Sequence, residues 1–65
     1  MTSDLDIYRS AHLVMKQHGK DAPIEAAMRA DAMLEAGGLA GYGLWGRILK
    51  AVEELQRERP EGLVH

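Results

Sequence analysis

The pattern in this chain that comes nearest to a chemical motif is Gly41-Tyr42-Gly43-Leu44-Trp45-Gly46, which has the G-x-G-x-x-G form of a dinucleotide-binding turn. In such a turn the glycines let the backbone approach a pyrophosphate at a helix N-terminus, and the motif works only between the strand and helix of a βαβ unit. Here it follows an alanine-rich stretch and the break Gly37-Gly38, in a chain of 65 residues that is too short for that fold. No nucleotide or other cofactor is expected. The glycines read instead as local geometry, each costing a helix about 0.5–1 kcal/mol relative to alanine. Gly43 and Gly46 fall on the polar side of their helix, where a chain from outside could come close.

Other reactive residue types are sparse. His12, His18 and His65 lack metal-ligand spacing, because His12 and His18 are six residues apart and do not share a helix face. Cysteine is absent, which excludes disulfides, thiolate metal sites and cysteine nucleophiles. Asp31 and Glu35 stand one turn apart, and paired carboxylates do acid-base work when their surroundings separate their pKa values. No nucleophile, oxyanion hole or pocket is legible beside them, so they are expected to make boundary ion pairs, Asp31 with Arg47 or Arg9. The expectation is a protein that is not an enzyme, with no catalytic, cofactor-binding or metal-binding residue and no evident small-molecule substrate.

The elements that would carry any surface are helices. Ser3 is placed to cap a first helix over 4–18, with Asp4 and Asp6 in its first turn. At about 100° per residue, Ile7, Tyr8, Ala11, Val14 and Met15 gather on one face. Gly19 then suits a left-handed cap, and Asp21-Ala22-Pro23 restarts the chain with a capping Asp and a first-turn Pro. A second helix is expected over 22–36, its core arc formed by Ala26, Ala27, Ala30, Met33 and Leu34, with Ile24 and Met28 beside it and Glu25 and Arg29 outward. After Gly37-Gly38, a third helix over 39–58 carries Tyr42, Leu44, Trp45, Ile48, Leu49, Ala51, Val52 and Leu55 on one side. Arg59-Pro60 ends it, and 60–65 reads as a tail. The fold class is therefore all-α, a single small three-helix domain with an antiparallel hairpin of the second and third helices.

Composition narrows the function class. Apolar residues make up 46% and charged residues 28% of the chain, which is ordinary for a folded domain. The net charge of −2 and the scatter of the eight Lys and Arg residues weigh against nucleic acid, whose phosphates need clustered positive charge. The acidic start lacks a secretory signal and no stretch approaches a membrane span, so a cytoplasmic protein is expected. Three short helices display more apolar arc than one small core can hide, and leftover apolar surface marks a partner. The candidate partner-binding residues are Tyr42, Trp45, Met28, Met33, Leu39, Gly43 and Gly46. The leading expectation is a non-catalytic protein–protein interaction domain, self-associating or a subunit or regulator of a larger protein. The alternative is a small helical regulator that contacts DNA or a toxin-type partner.

The segments Asp6-Ile7-Tyr8-Arg9-Ser10-Ala11, Ala26-Ala27-Met28-Arg29-Ala30-Asp31 and Trp45-Gly46-Arg47-Ile48-Leu49-Lys50-Ala51-Val52-Glu53-Glu54-Leu55 carry a resemblance. With His18-Gly19-Lys20-Asp21-Ala22 they resemble a family of short bacterial domains of unknown function, mainly alphaproteobacterial, over about residues 4 to 56. The resemblance implies one coherent small domain and no particular chemistry. The chain departs from the family at Gly38 and Ala40, where members are more acidic, and at Gly46, where they carry a larger residue. The hairpin of the second and third helices is also similar to a single tetratricopeptide-type repeat, although stacks of that kind need at least three.

Overall fold

The computed structural model describes residues 3–58, and all of its regular structure is helical. Helix α1 spans Asp4–His18, a 3-10 turn spans Gly19–Asp21, α2 spans Ala22–Glu35 and α3 spans Leu39–Glu58. The helical state is unbroken from Asp4 to Glu35, so by continuity there are two helical runs rather than the three helices expected. The first run still doubles back at its 3-10 turn, because α1 and α2 contact each other and both contact α3. Among the described residues there is no strand. The tail expected at 60–65, and the stop at Arg59-Pro60, lie outside the described residues.

The ends of these elements follow from local chemistry. Ser3 caps α1, its hydroxyl oxygen accepting from the Asp6 N–H at 3.2 Å. At the far end Gly19 takes φ 57° and ψ −129°, and its N–H donates to the Met15 carbonyl. The positive φ was expected, whereas that ψ lies outside the left-handed helical well. Asp21 departs from expectation, since it precedes α2 without a side-chain capping bond. Helix α2 stops at Glu35, one residue early, because Gly37 at φ 81° turns the chain. The Gly37 N–H reaches the Leu34 carbonyl at 3.0 Å and the Gly38 N–H reaches the Met33 carbonyl at 2.9 Å. These two bonds form a Schellman cap that satisfies the last carbonyls of α2. The Tyr42 N–H donating to the Gly38 carbonyl at 2.9 Å then opens α3.

The core is built on alanine. Ala22, Ala26 and Ala30 form an i, i+4 row on α2 that is buried, with Ala11 from α1 and Ala51 from α3. Ile7, Val14, Ile48 and Val52 fill the spaces between, and Tyr8, Met15, Leu44, Trp45 and Leu55 pack at the edge. Small side chains let helix axes approach closely, and here they let α2 lie against both α1 and α3. The expected arc of α2 is corrected accordingly. It is centred on Ala26, about 40° round from the arc that included Ala27, Met33 and Leu34. Leu34, about 80° from Ala26, is left largely in solvent, whereas Met33, only about 20° from Ala26, lies near the end of α2 beyond the core, with its thioether over Gly41.

Side chains fix how α1 lies on α3. The Arg47 guanidinium meets Asp4 at 3.2 Å, the Tyr8 hydroxyl donates to Glu54 Oε1 at 2.7 Å, and the Gln56 amide donates to the Gly19 carbonyl at 3.3 Å. The start of α1 thus lies against Arg47 to Glu54, while Leu13 and Val14 lie by Leu44, Trp45 and Ile48, so α1 crosses α3 instead of running alongside it.

Candidate functional site

The residues picked out from sequence do not converge on one site. Met28 lies on the outer face of α2 and is 61% exposed. Leu39, at 69%, and the exposed Tyr42 lie at the start of α3, near the hairpin end. Met33 is also exposed, but its thioether folds over Gly41, with the sulfur 2.8 Å from where a Cβ on Gly41 would sit. Gly41 is therefore the glycine against which a neighbour packs. Gly43 and Gly46 face open space, with nothing within 4 Å of an added Cβ, so no close approach within the chain explains them. Trp45 is half-buried and does form part of a recess.

That recess is a groove of about 300 Å³ between α1 and α2, with α3 beneath. Its floor is Val14, Leu44, Trp45 and Ile48, and its rim is Ser10, Leu13, Gln17, His18 and Arg29. Arg29, expected to face outward, is the residue that shapes it. Its guanidinium lies over the Trp45 ring, 5.2 Å from the centroid, and its Nε donates to Glu25 Oε2 at 2.7 Å. The cation is held by the ring quadrupole beneath it and by the carboxylate beside it. The hydrogen bond from Arg29 holds the Glu25 carboxyl below the usual carboxylate range, with the charges of His18 and Arg29 helping and partial burial opposing. A volume of about 300 Å³ is at the small end of ligand pockets, and an open apolar groove of that size fits one or two side chains of another protein.

A second hollow, about 310 Å³, is shallow and lined by charged groups, including Asp4, Arg47, Lys50 and Glu54. Its polar groups already serve the α1–α3 contact. The hydrogen bond to Glu54 raises the Tyr8 phenol above its ordinary value, with desolvation and the charges of Glu54, Glu58 and Asp4 adding in the same direction. A phenol made harder to ionise is poorly suited to act as a base. Among the described residues no group of three or more His, Cys, Asp or Glu side chains is placed to hold a metal.

The expected pairing of Asp31 with Arg47 or Arg9 does not form within the chain. Arg47 goes to Asp4 and Arg29 to Glu25, while Arg9, Asp31 and Glu35 are exposed. What sequence reasoning missed was Arg29 over Trp45. The i, i+4 spacing of Glu25 and Arg29 signals their pair, but the contact with Trp45 spans two helices and leaves no local trace. No helix is long and apolar enough to cross a membrane among the described residues. No family model, curated protein or solved structure matches the chain.

Proposed function

We propose that this chain is a small non-catalytic protein-interaction domain whose three helical segments act as one unit, with α2 and α3 as an antiparallel hairpin. One observation carries the reading. Among the described residues the buried core is Ile7, Val14, Ile48, Val52 and five alanines, while Leu5, Leu13, Ile24, Met28, Met33, Leu34, Leu39 and Tyr42 are exposed. A helical domain that hides its alanines and shows its leucines, isoleucine and methionines has its larger apolar surface on the outside, where a partner covers it. The groove floored by Trp45 lies beside this surface and adds an aromatic anchor of the kind that dominates interfaces. We place the domain in the bacterial cytoplasm, within the family it resembles, a setting that suits a chain without cysteine.

The test combines light scattering after size exclusion with affinity capture from the host, using the wild type and a chain carrying Leu13→Ser and Met28→Ser. The expected result is an assembly, with itself or with another protein, that the double substitution abolishes while circular dichroism stays helical. A rigid monomer that recovers no partner, with the substituted chain behaving identically, would refute the reading.

A further inference from the structure

We infer that the face of the α2/α3 hairpin turned away from α1 docks an amphipathic helix of another protein, one with Lys or Arg flanking its apolar stripe. This rests on the interaction reading above and gives the partner a chemistry and a place. On α2, Ala22 is buried with Ile7, Ala11 and Val14 of α1, and Arg29 rims the groove beside α1. Ala27 and Leu34 lie about 120–160° round from those two. On α3, Arg47 and Glu54 bond to α1, and Tyr42 and Leu49 lie about 120–160° round from them. Met33 packs on Gly41 and Arg29 on Trp45, so α2 and α3 run antiparallel. In that register Tyr42 comes within about 3 Å of the height of Leu34, and Leu49 within about 3 Å of that of Ala27.

These four residues form an apolar stripe along the seam of the hairpin. Leu34 and Tyr42 are exposed, and Ala27 and Leu49 are half-buried. The core takes Ile48, Ala51 and Val52 from α3 and leaves Tyr42 and Leu49 to this side, so the apolar arc of α3 is wider than its own chain covers. Gly46, with open space where a Cβ would sit, borders the stripe about 40° from Tyr42. Together with Ala27 it lets a helix from outside come close.

Carboxylates border the stripe on both helices. Asp31 lies about 40–60° beyond Ala27 and Leu34 on α2, with Glu35 a turn further along, and Glu53 lies about 20–40° beyond Tyr42 and Leu49 on α3. All three are exposed, and none belongs to the ion pairs Arg29–Glu25 and Arg47–Asp4. Cations are turned elsewhere. Arg29, the one basic residue of α2, is at the groove, and no Lys, Arg or His occurs between Ala30 and Gly46. On α3, Lys50 is about 100° round from Leu49, and Arg57 sits about 12 Å beyond Leu49 along the axis. A helix laid along the seam with Lys or Arg on its flanks meets Asp31 on one side and Glu53 on the other, and completes a four-helix arrangement. A second copy docked by the same face would instead set carboxylate on carboxylate, which is why the occupant is another protein.

The experiment selects the occupant from displayed helices of about 18 residues, with Leu or Ala fixed along one stripe and Lys, Glu or Gln allowed at the flanking positions. The library is panned against the immobilised full chain, and selected helices are measured by fluorescence anisotropy. Lys should be enriched at the flanks. Asp31→Lys and Glu53→Lys should each weaken a selected helix about three- to ten-fold, and exchanging its flanking Lys for Glu should restore binding to the reversed chain. Leu34→Ser with Tyr42→Ser should weaken it about ten-fold or more, with circular dichroism checking that the substituted chains stay helical. Glu or no preference at the flanks, reversals without effect, or no helix selected would overturn the proposal. So would self-association of the wild type in sedimentation equilibrium that the Leu34 and Tyr42 substitutions remove, which would put a second copy on this face. The interaction reading is judged separately: it survives any of these results if Leu13→Ser with Met28→Ser abolishes assembly or capture, and falls if the wild type neither assembles nor recovers a partner.

Discussion

Three glycines in one helix give a sharp test of the packing, because the same substitution should act differently at each. Gly43 and Gly46 lie in the interior of α3 with open space where a Cβ would go, so alanine there gains helix propensity and meets nothing. Each change should stabilise by about 0.5–1 kcal/mol, and the pair by about 1–2 kcal/mol. For a domain of this size 1 kcal/mol moves Tm by roughly 4–8 °C, so the double substitution should raise Tm by about 5–15 °C. Gly41 is different. Its Cβ would sit 2.8 Å from the Met33 sulfur and 3.1 Å from its Cγ, so the Met33 side chain must swing aside. Gly41 is also only the third residue of α3, where propensity counts for less. Gly41→Ala should therefore gain less than either of the others, by about 0.5 kcal/mol or more, and the shortfall should vanish in a Met33→Ala background. Thermal melts by circular dichroism at low micromolar concentration, with the Gly41/Met33 double-mutant cycle, measure all of this. A gain at Gly41 equal to that at Gly46, or no coupling to Met33, would show that α2 and α3 do not pack as described.

The remaining predictions probe the caps, the core and the charges. Gly37→Ala places a Cβ on a positive-φ residue and should cost about 1–2 kcal/mol in a thermal melt, whereas Gly38→Ala, whose Cβ comes no closer than 3.6 Å to the Met33 carbonyl, should be near neutral. Ala26→Leu inserts three carbons into a fully buried contact of the α2 row and should destabilise by about 1–3 kcal/mol, read from denaturant midpoints. The Tyr8 phenol is raised in the folded chain, so its bond to Glu54 contributes below the ordinary phenol value and is lost as pH climbs through the raised one; the Tm advantage of wild type over Tyr8→Phe should hold at neutral pH and disappear in strong alkali. Glu25 has the opposite sign. Its carboxyl is lowered, so the clamp on Arg29 contributes above the usual carboxylate range and is lost as pH falls through the lowered value, and wild type and Glu25→Gln melts should converge in acid.

The features that could be read from sequence were those settled within a few residues. Ser3, Gly19 and Gly37 mark helix ends because capping is a matter of one or two hydrogen bonds nearby, and the bounds of α1 and the start of α3 follow from them. The face of α2 was not legible to the same degree. With alanine at 22, 26, 27, 30 and 32, several rotations of α2 hide a similar small area, so periodicity does not choose between them. The choice falls to the turn, which returns α1 against Ala22, and that contact depends on geometry between helices. The same reason hid Arg29. Its i, i+4 partner Glu25 is local, but the ring beneath it belongs to another helix. Asp31 illustrates the converse, a charge whose expected partners, Arg9 and Arg47, the fold does not bring to it.

The alanine row ties the marginal size of the domain to its exposed surface. A buried methyl group contributes far less than a leucine side chain, because hydrophobic stabilisation scales with apolar area at about 25 cal/mol per Å². A row of alanines therefore brings three helical segments together closely at modest gain, and leaves the larger side chains with no interior to enter. Leu13, Ile24 and Met28, each already partly covered, would add about 1 kcal/mol apiece on full burial, or roughly 3 kcal/mol together. That sum is below the free energy lost when two molecules become one, so under the interaction reading a partner must also engage further surface, such as the groove floored by Trp45. A chain held by a partner is withdrawn from unfolding. Stability that rises with the partner's concentration is thus the expected consequence of the same residues that make the core small.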